Sequence, residues 1–332
     1  MQQLRVAVIG AGYIGQLHMA QAGNCPGVEL VGFAESDPRR RKPAAARFGV
    51  PAFSYAGHML QEIPVDAAII CVPPHARDGL EVSIAQQGIP LLVEKPIAVT
   101  LATGEQVAEA LSQLSTLVVY GYQWRQLSCL PEIKARLAGR FVHLAIGHWL
   151  SSTPSANWWG KATTAGSTFI EQATHLIDLA LLLLGPMTTV TASNSSSRIS
   201  ADADSFACAI SASITFATGC VGSFVTCCTS PDSYRRSLEL LSDEMAVSVT
   251  EDGCTIASDN EVVSLQHTGP GLYEREQRAF FHLVRTGRPL AEAGPLAHAD
   301  DSLAALGVAD AIERSIASAR RVTVPRKYRR PT

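Results

Sequence analysis

Charge is scarce in this chain. Only 17% of its 332 residues are Asp, Glu, Lys or Arg, and the formal net charge is −3. That balance leaves no electrostatic case for nucleic acid as a partner. The basic end RKYRRPT occupies only the last few residues and reads as a solvated terminus. Long apolar runs are missing too. The longest, LIDLALLLLG, is broken by Asp178 and is too short to span a bilayer, so no membrane partner is expected. The eight cysteines form no C-x-x-C and no Cys/His metal spacing, and Cys227 and Cys228 are adjacent, a poor geometry for a bridge. The nine histidines are scattered, so no metal site is expected. A strand-like run from Leu4 to Ile9 follows Met1 almost at once, leaving no room for a leader peptide; with free thiols this points to a reducing, cytoplasmic setting.

What is present is an ordinary apolar fraction, 47%, in a chain long enough for two domains. It opens with LRVAVIGAGYIGQLH: a continuous apolar strand, then Gly10, Gly12 and Gly15 at G-x-G-x-x-G spacing, then a helical pattern. Gly10 permits the tight turn, Gly12 lets the backbone approach a pyrophosphate, and Gly15 lets the helix pack on its strand. The amides that open the helix, around Tyr13 and Ile14, face the phosphates with the positive end of the helix dipole. A second strand, Val28 to Ala34, ends in Glu35, twenty residues after Gly15, where a carboxylate accepts hydrogen bonds from an adenosine ribose. Glu35 favours NAD. Ser36, Arg39 and Arg40 beside it keep NADP open as the alternative.

Apolar strands alternating with amphipathic helices continue through TLVVYGY, the pattern of a doubly wound parallel sheet. Ligands of such sheets sit beyond the carboxyl ends of the strands. Pro73, Pro74 and His75 occupy one such end, and Glu94, Lys95 and Pro96 another. Lys95 thereby falls in the cofactor crevice, with Glu94 as a partner that could orient its ammonium.

The glycine motif, the run CVPPHARDGLEVSIAQQGIPLLVEKPIAVT from Cys71 to Thr100 and the order of elements resemble the glucose–fructose oxidoreductase/inositol dehydrogenase family, Gfo/Idh/MocA. The E-K-P at Glu94–Pro96 is the most specific signature. The resemblance covers essentially the whole chain and is strongest over the first 125 residues and over Gly166 to Gly185. It implies that Lys95 sits beside the nicotinamide and the reacting hydroxyl, where a lysine could donate to or accept from a carbinol oxygen.

After Tyr122 the pattern changes, which sets the expected boundary: a dinucleotide-binding Rossmann domain over 1–123 and an α+β domain over 124–332. TFIEQATHLIDLALLLLG reads as one helix with a glycine stop. Its apolar positions recur at i, i+3 and i+4, and Glu171, His175 and Asp178 fall in one stripe on the other face. Either carboxylate could hold the imidazole tautomer. The resemblance implies that the acid and the histidine four residues on, matched by Glu171 and His175, act with Lys95; the acid is often Asp in that family. Trp158, Trp159 and Lys161 precede this helix, in a loop that lines the substrate pocket in the family, while Tyr122 and Arg125 leave the last Rossmann strand in a similar position. The remainder alternates as antiparallel strands, SFACAISASITF most strictly, giving a large, mostly antiparallel open sheet. Its small, weakly polar face suits a homodimer or homotetramer, an assembly the family often uses.

Together these imply an NAD(P)-dependent oxidoreductase acting on a hydroxyl or keto group of a small polyhydroxylated substrate. The expected catalytic set is Lys95, His175, Glu171 and Asp178. Two alternatives are a glycosidase-type enzyme that oxidises its sugar transiently, and a non-catalytic NAD-responsive regulator.

Overall fold

A computed structural model of the chain describes residues 3–231, 234–288 and 295–328; the last four residues of the basic end lie outside them. The chain divides into two compact units. The first comprises Met1–Ile97, Gln106–Gln123 and Pro270–Ala299, and the second Ala98–Glu105, Trp124–Gly269 and Asp300–Thr332. The expected cut after residue 123 takes no account of two exchanges, of which the return of Pro270–Ala299 to the first unit is the larger. Its physical cause is apolar: Phe280, Phe281, Leu283 and Leu296 join the cluster formed by Val6, Val8, Met19, Ile69, Leu92 and Val119.

From Leu4 to Gly121 the chain alternates β1 (Leu4–Ile9), α1 (Tyr13–Gly23), β2 (Val28–Ala34), α2 (Pro38–Phe48), β3 (Ala52–Phe53), α3 (Ala56–Glu62), β4 (Ala67–Ile70), α4 (Leu80–Ala85), β5 (Leu91–Glu94), α5 (Leu101–Ser112) and β6 (Val118–Gly121), all in the first unit except the start of α5, through Glu105. The six strands pair in the order β3-β2-β1-β4-β5-β6, all parallel. The order reverses between β1 and β4, the topological switch point at which such sheets bind ligands. The central strands are buried on both faces, which is why they read as unbroken apolar runs.

The second unit contains α6 (Leu130–Leu137), β7 (Val142–Leu150), α7 (Ala162–Ala165), α8 (Thr168–Glu171), α9 (Thr174–Leu184) and β8 (Met187–Asn194). After these come β9 (Ala209–Phe216), β10 (Val221–Cys227), β11 (Arg235–Ser242), β12 (Met245–Thr250), β13 (Gly253–Ser258) and β14 (Glu261–Gln266). Helix α10 (Leu272–Thr286) lies in the returning segment of the first unit; α11 (Ala299–Ser318) and β15 (Val322–Thr323) close the second. Its nine-stranded sheet, ordered β14-β13-β12-β11-β7-β10-β9-β8-β15, is antiparallel except where β7 meets β10. The alternation in β9 follows the expected pattern: Ile210, Ala212, Ile214 and Phe216 are buried while Ser211 and Ser213 are exposed. Among the described residues no single helix is long and apolar enough to cross a membrane.

The glycine turn after β1 shows why only glycine serves there. Gly10 has φ +97°, and a Cβ on Gly15 would lie 1.9 Å from the Gly10 carbonyl oxygen. Gly15→Ala should therefore lower the unfolding free energy by about 1–3 kcal/mol. Urea denaturation followed by circular dichroism checks this, and an unchanged midpoint would contradict it.

Candidate active site

Because the strands run parallel, their carboxyl ends share one edge, and neighbouring strands bring the expected cofactor residues into a row. Glu35 follows β2, Gly10 to Gly15 follow β1, Pro73 to His75 follow β4, and Lys95 follows β5. Three inter-strand steps separate the ends of that row, roughly 14 Å.

Gly12 caps α1 with extended backbone and no side-chain cap. A Cβ placed on it would meet nothing within 4 Å. The first helical amides, of Tyr13, Ile14 and Gly15, have no carbonyl partner inside the helix and open onto this space. That is the geometry a pyrophosphate fits. The Glu35 side chain is 6% exposed and staples the same turn. Its Oε2 accepts from the Ala11 amide at 2.9 Å, while Oε1 accepts from the Asp37 amide at 2.9 Å and the Arg40 guanidinium at 2.8 Å. Burial pushes this carboxyl up, but the hydrogen bonds from Arg40 and the two amides outweigh it, and the net shift is downward from the ordinary glutamate value. Ser36 and His75 are exposed, as is the Tyr13 ring.

The turn after β5 is built from buried donors. The Arg77 guanidinium, 4% exposed, donates to the carbonyls of Val72 (3.1 Å), Glu94 (3.0 Å), Pro96 (2.6 Å) and Ile97 (3.4 Å), and lies 3.5 Å from Glu81. One planar cation thus ties the end of β4 to the whole E-K-P turn. Glu94 does not pair with the neighbouring ammonium, as the sequence suggests it could. Its carboxylate turns inward to His18 Nε2, 3.0 Å away, and Gly121 leaves room for it: a Cβ there would stand 3.2 Å from the carboxylate. Lys95 is half-buried and Tyr122 fully buried.

In the second unit the expected single helix over 168–185 is two. The Ala173 amide reaches back five residues to the Thr168 carbonyl (2.8 Å), and the axis bends by 41° between the segments ending at Glu171 and beginning at Thr174. A π-type step of this kind shifts the phase of the helix, so Glu171, His175 and Asp178 no longer form one stripe. Each has its own setting. Asp178 is fully buried, and both its oxygens accept from Arg125, at 2.6 and 2.8 Å. Arg125, 4% exposed, also donates to Asp301 at 3.2 Å. Asp178 therefore serves Arg125 rather than the imidazole, and Arg125 is a buried staple rather than an open substrate donor. Burial raises the Asp178 carboxyl above its ordinary range even with Arg125 against it. Glu171 accepts from Trp159 Nε1 at 2.6 Å. His175 is 3% exposed and stacks on Trp149, ring centroids 5.6 Å apart and planes 18° apart. Trp149 in turn packs against Trp124 and carries the Arg236 guanidinium 5.0 Å from its ring. Lys161, exposed, pairs with Asp202 at 3.4 Å.

Residues 4–122 match the model of the oxidoreductase family with an NAD-binding Rossmann fold (GFO_IDH_MocA), and residues 133–248 match the GFO/IDH/MocA C-terminal domain. The chain belongs to the Gfo/Idh/MocA family. It is 28% identical over 192 residues to the rhizopine catabolism protein MocA of Rhizobium meliloti, a match covering 56% of this chain and 58% of that relative. It is 24% identical over 336 residues to an inositol 2-dehydrogenase of Rhizobium meliloti (strain 1021), covering 97% and 99%. Its fold is similar to that of the WlbA dehydrogenase from Bordetella pertussis, solved with NADH and UDP-GlcNAcA. There the TM-score is 0.80 at 24% identity, over 98% of this chain and 99% of that one.

Four residues with clear structural work escaped the sequence: His18, Arg77, Trp149 and Gln277. Two left a signal. His18 falls with Gly15, Met19 and Ala22 on the buried face of α1, an unusual place for an imidazole, and Arg77 and Glu81 have the i, i+4 spacing of an ion pair.

Removing the Asp178 carboxylate would strand most of a buried guanidinium's charge. Asp178→Ala should cost about 3 kcal/mol, read as a lower urea midpoint. A midpoint equal to wild type would show that the pair contributes nothing.

Proposed function

We propose that this chain is an NAD-dependent dehydrogenase of a sugar, polyol or cyclitol, working in a reducing, cytoplasmic setting. The observation that carries it is the row on the carboxyl edge of the parallel sheet: Glu35, the glycine turn, Pro73 to His75 and Lys95, in strand order across the switch point. The name of the full-length inositol dehydrogenase relative supports the substrate class. The free state of all eight cysteines supports the setting.

In this reading the amides of Tyr13, Ile14 and Gly15 hold the pyrophosphate, Glu35 takes the adenosine ribose, and Pro73, His75, Glu94 and Lys95 border the nicotinamide end. A bound nicotinamide dinucleotide supplies the hydride acceptor or donor. The chain's own residues manage the proton. His175 takes it from the substrate hydroxyl, and Lys95 stabilises the developing alkoxide by donating to it. Stacking on Trp149 fixes the plane of His175, and the hydrogen bond from Trp159 fixes the Glu171 carboxylate. Tyr122, Trp159 and Lys161 are the proposed substrate-binding residues, of which Lys161 is exposed while Tyr122 and Trp159 are buried.

Glu35 supports NAD over NADP. Its Oε1 already accepts two donors, its Oε2 accepts one, and Arg40 is committed to it. A ribose hydroxyl can use the remaining acceptor position, whereas a 2′-phosphate would face a carboxylate. The open face of the nine-stranded sheet, with Ser211, Ser213, Ser223 and Val225 at its centre, is proposed as the surface of a homodimer or homotetramer.

Two outcomes are expected. In a screen of inositols, sugars and their keto forms, turnover with NAD should exceed that with NADP at least tenfold in kcat/KM. Lys95→Ala should lose at least a hundredfold in kcat while the NADH dissociation constant, from fluorescence titration, stays within twofold. Full turnover by Lys95→Ala would remove the mechanism.

A further inference from the structure

We infer that His18, held by Gln277, is a positioning residue for Lys95: it locks the Glu94 carboxylate and with it the direction in which the E-K-P turn presents its lysine. This rests on the dehydrogenase reading above, in which Lys95 contacts the substrate, but the contacts themselves lie wholly within the first unit.

The His18 ring is completely buried. Its Nε2 faces Glu94 Oε1 at 3.0 Å, and its Nδ1 faces the side-chain amide nitrogen of Gln277. That same amide nitrogen donates to the His18 backbone carbonyl at 3.1 Å. A carbonyl oxygen only accepts, so the Gln277 atom beside it is the NH2 group, and its second hydrogen points at Nδ1. Nδ1 must then be an acceptor, so the ring proton sits on Nε2 and is given to Glu94. The tautomer follows from three contacts that allow no other arrangement. Tyr273, edge-on to the ring at 5.8 Å and itself accepting from Gln123 at 3.2 Å, closes the remaining side.

Two independent clamps therefore act on one short turn. Arg77 fixes its carbonyls, and His18 fixes the side chain of the residue immediately before Lys95. His18 lies on α1, the helix whose first amides open at Gly12, so the dinucleotide-facing helix and the turn carrying the lysine are joined by one hydrogen bond. Gln277, on α10, brings in the returning segment. Loss of the His18 hydrogen bond should leave the glycine turn intact while freeing the Glu94 carboxylate and loosening Lys95. The expected signature is a fall in kcat with little change in cofactor affinity.

The test compares wild type, His18→Leu and His18→Gln, the last retaining an N–H donor near the Nε2 position, together with Lys95→Ala as a reference. Histidine 15N spectra at pH 7 should show one imidazole in the Nε2–H tautomer that disappears in both His18 variants and shifts in Gln277→Leu; its absence overturns the inference without any substrate. With the polyol that turns over best in the screen, His18→Leu should lose 10- to 50-fold in kcat. Its NADH dissociation constant should stay within twofold, and His18→Gln should recover at least a third of the wild-type rate. Wild-type kcat in His18→Leu, with Lys95→Ala inactive, overturns the positioning role and leaves the dehydrogenase reading standing. An active Lys95→Ala removes that reading instead, whatever the spectra show. If His18→Leu fails to fold, the decision passes to Gln277→Leu, where an unchanged kcat counts against the inference and a loss supports it.

Discussion

A parallel sheet has only one carboxyl edge, and that constraint governs this molecule. Six strands running the same way deliver their following loops to a single side. The reversal of order between β1 and β4 splits the flanking loops apart and leaves a crevice for a ligand. Glycines then shape the β1 turn, a carboxylate at the end of β2 staples it through the Ala11 amide, and Arg77 fastens the ends of β4 and β5 together. Each step uses a buried polar group whose hydrogen bonds are satisfied, and so the edge can be rigid without being apolar.

The second unit solves a different problem, how to place an imidazole firmly on a helix that is otherwise core. Helix α9 is nearly all buried. Its one carboxylate is neutralised by Arg125, and the preceding turn is broken by a π-type step so that Glu171 leaves the phase of the helix. His175 stacks on a flat indole. Stacking orients an aromatic ring with a modest energy but a narrow range of planes. In the proposed chemistry that is the property required of a group that moves a proton at a fixed hydroxyl.

Much of the first unit was legible because its signals are local. Strand runs, glycine spacing, the acid after β2 and the E-K-P turn each sit within a few residues, and the order of strands in a doubly wound sheet is tightly restricted. The antiparallel strands were legible where one face is buried, as in β9, and less so in β8 and β13, whose short mixed runs carry weak alternation. What the sequence could not reveal is set by pairs distant along the chain. Arg125 and Asp178 are 53 residues apart and His18 and Gln277 are 259 apart. A helical wheel through 168–185 misplaces Glu171 because it cannot see the extra residue at 172–173, and it keeps His175 and Asp178 on one face of α9 without showing that Arg125 takes both carboxylate oxygens. Likewise, the return of Pro270–Ala299 to the first unit depends on Phe280 and Phe281 finding an apolar cluster built mainly from the first half of the chain.

The central claim is that one substrate hydroxyl is shared by Lys95 and His175 beside the nicotinamide. A crystal structure with NADH and the polyol selected by turnover tests it most directly. The account predicts a single substrate oxygen within hydrogen-bond reach of both Lys95 Nζ and an imidazole nitrogen of His175, with its carbon facing the nicotinamide ring. Lys95 and His175 opening onto separate cavities, or a substrate oxygen bonded to neither, would contradict it.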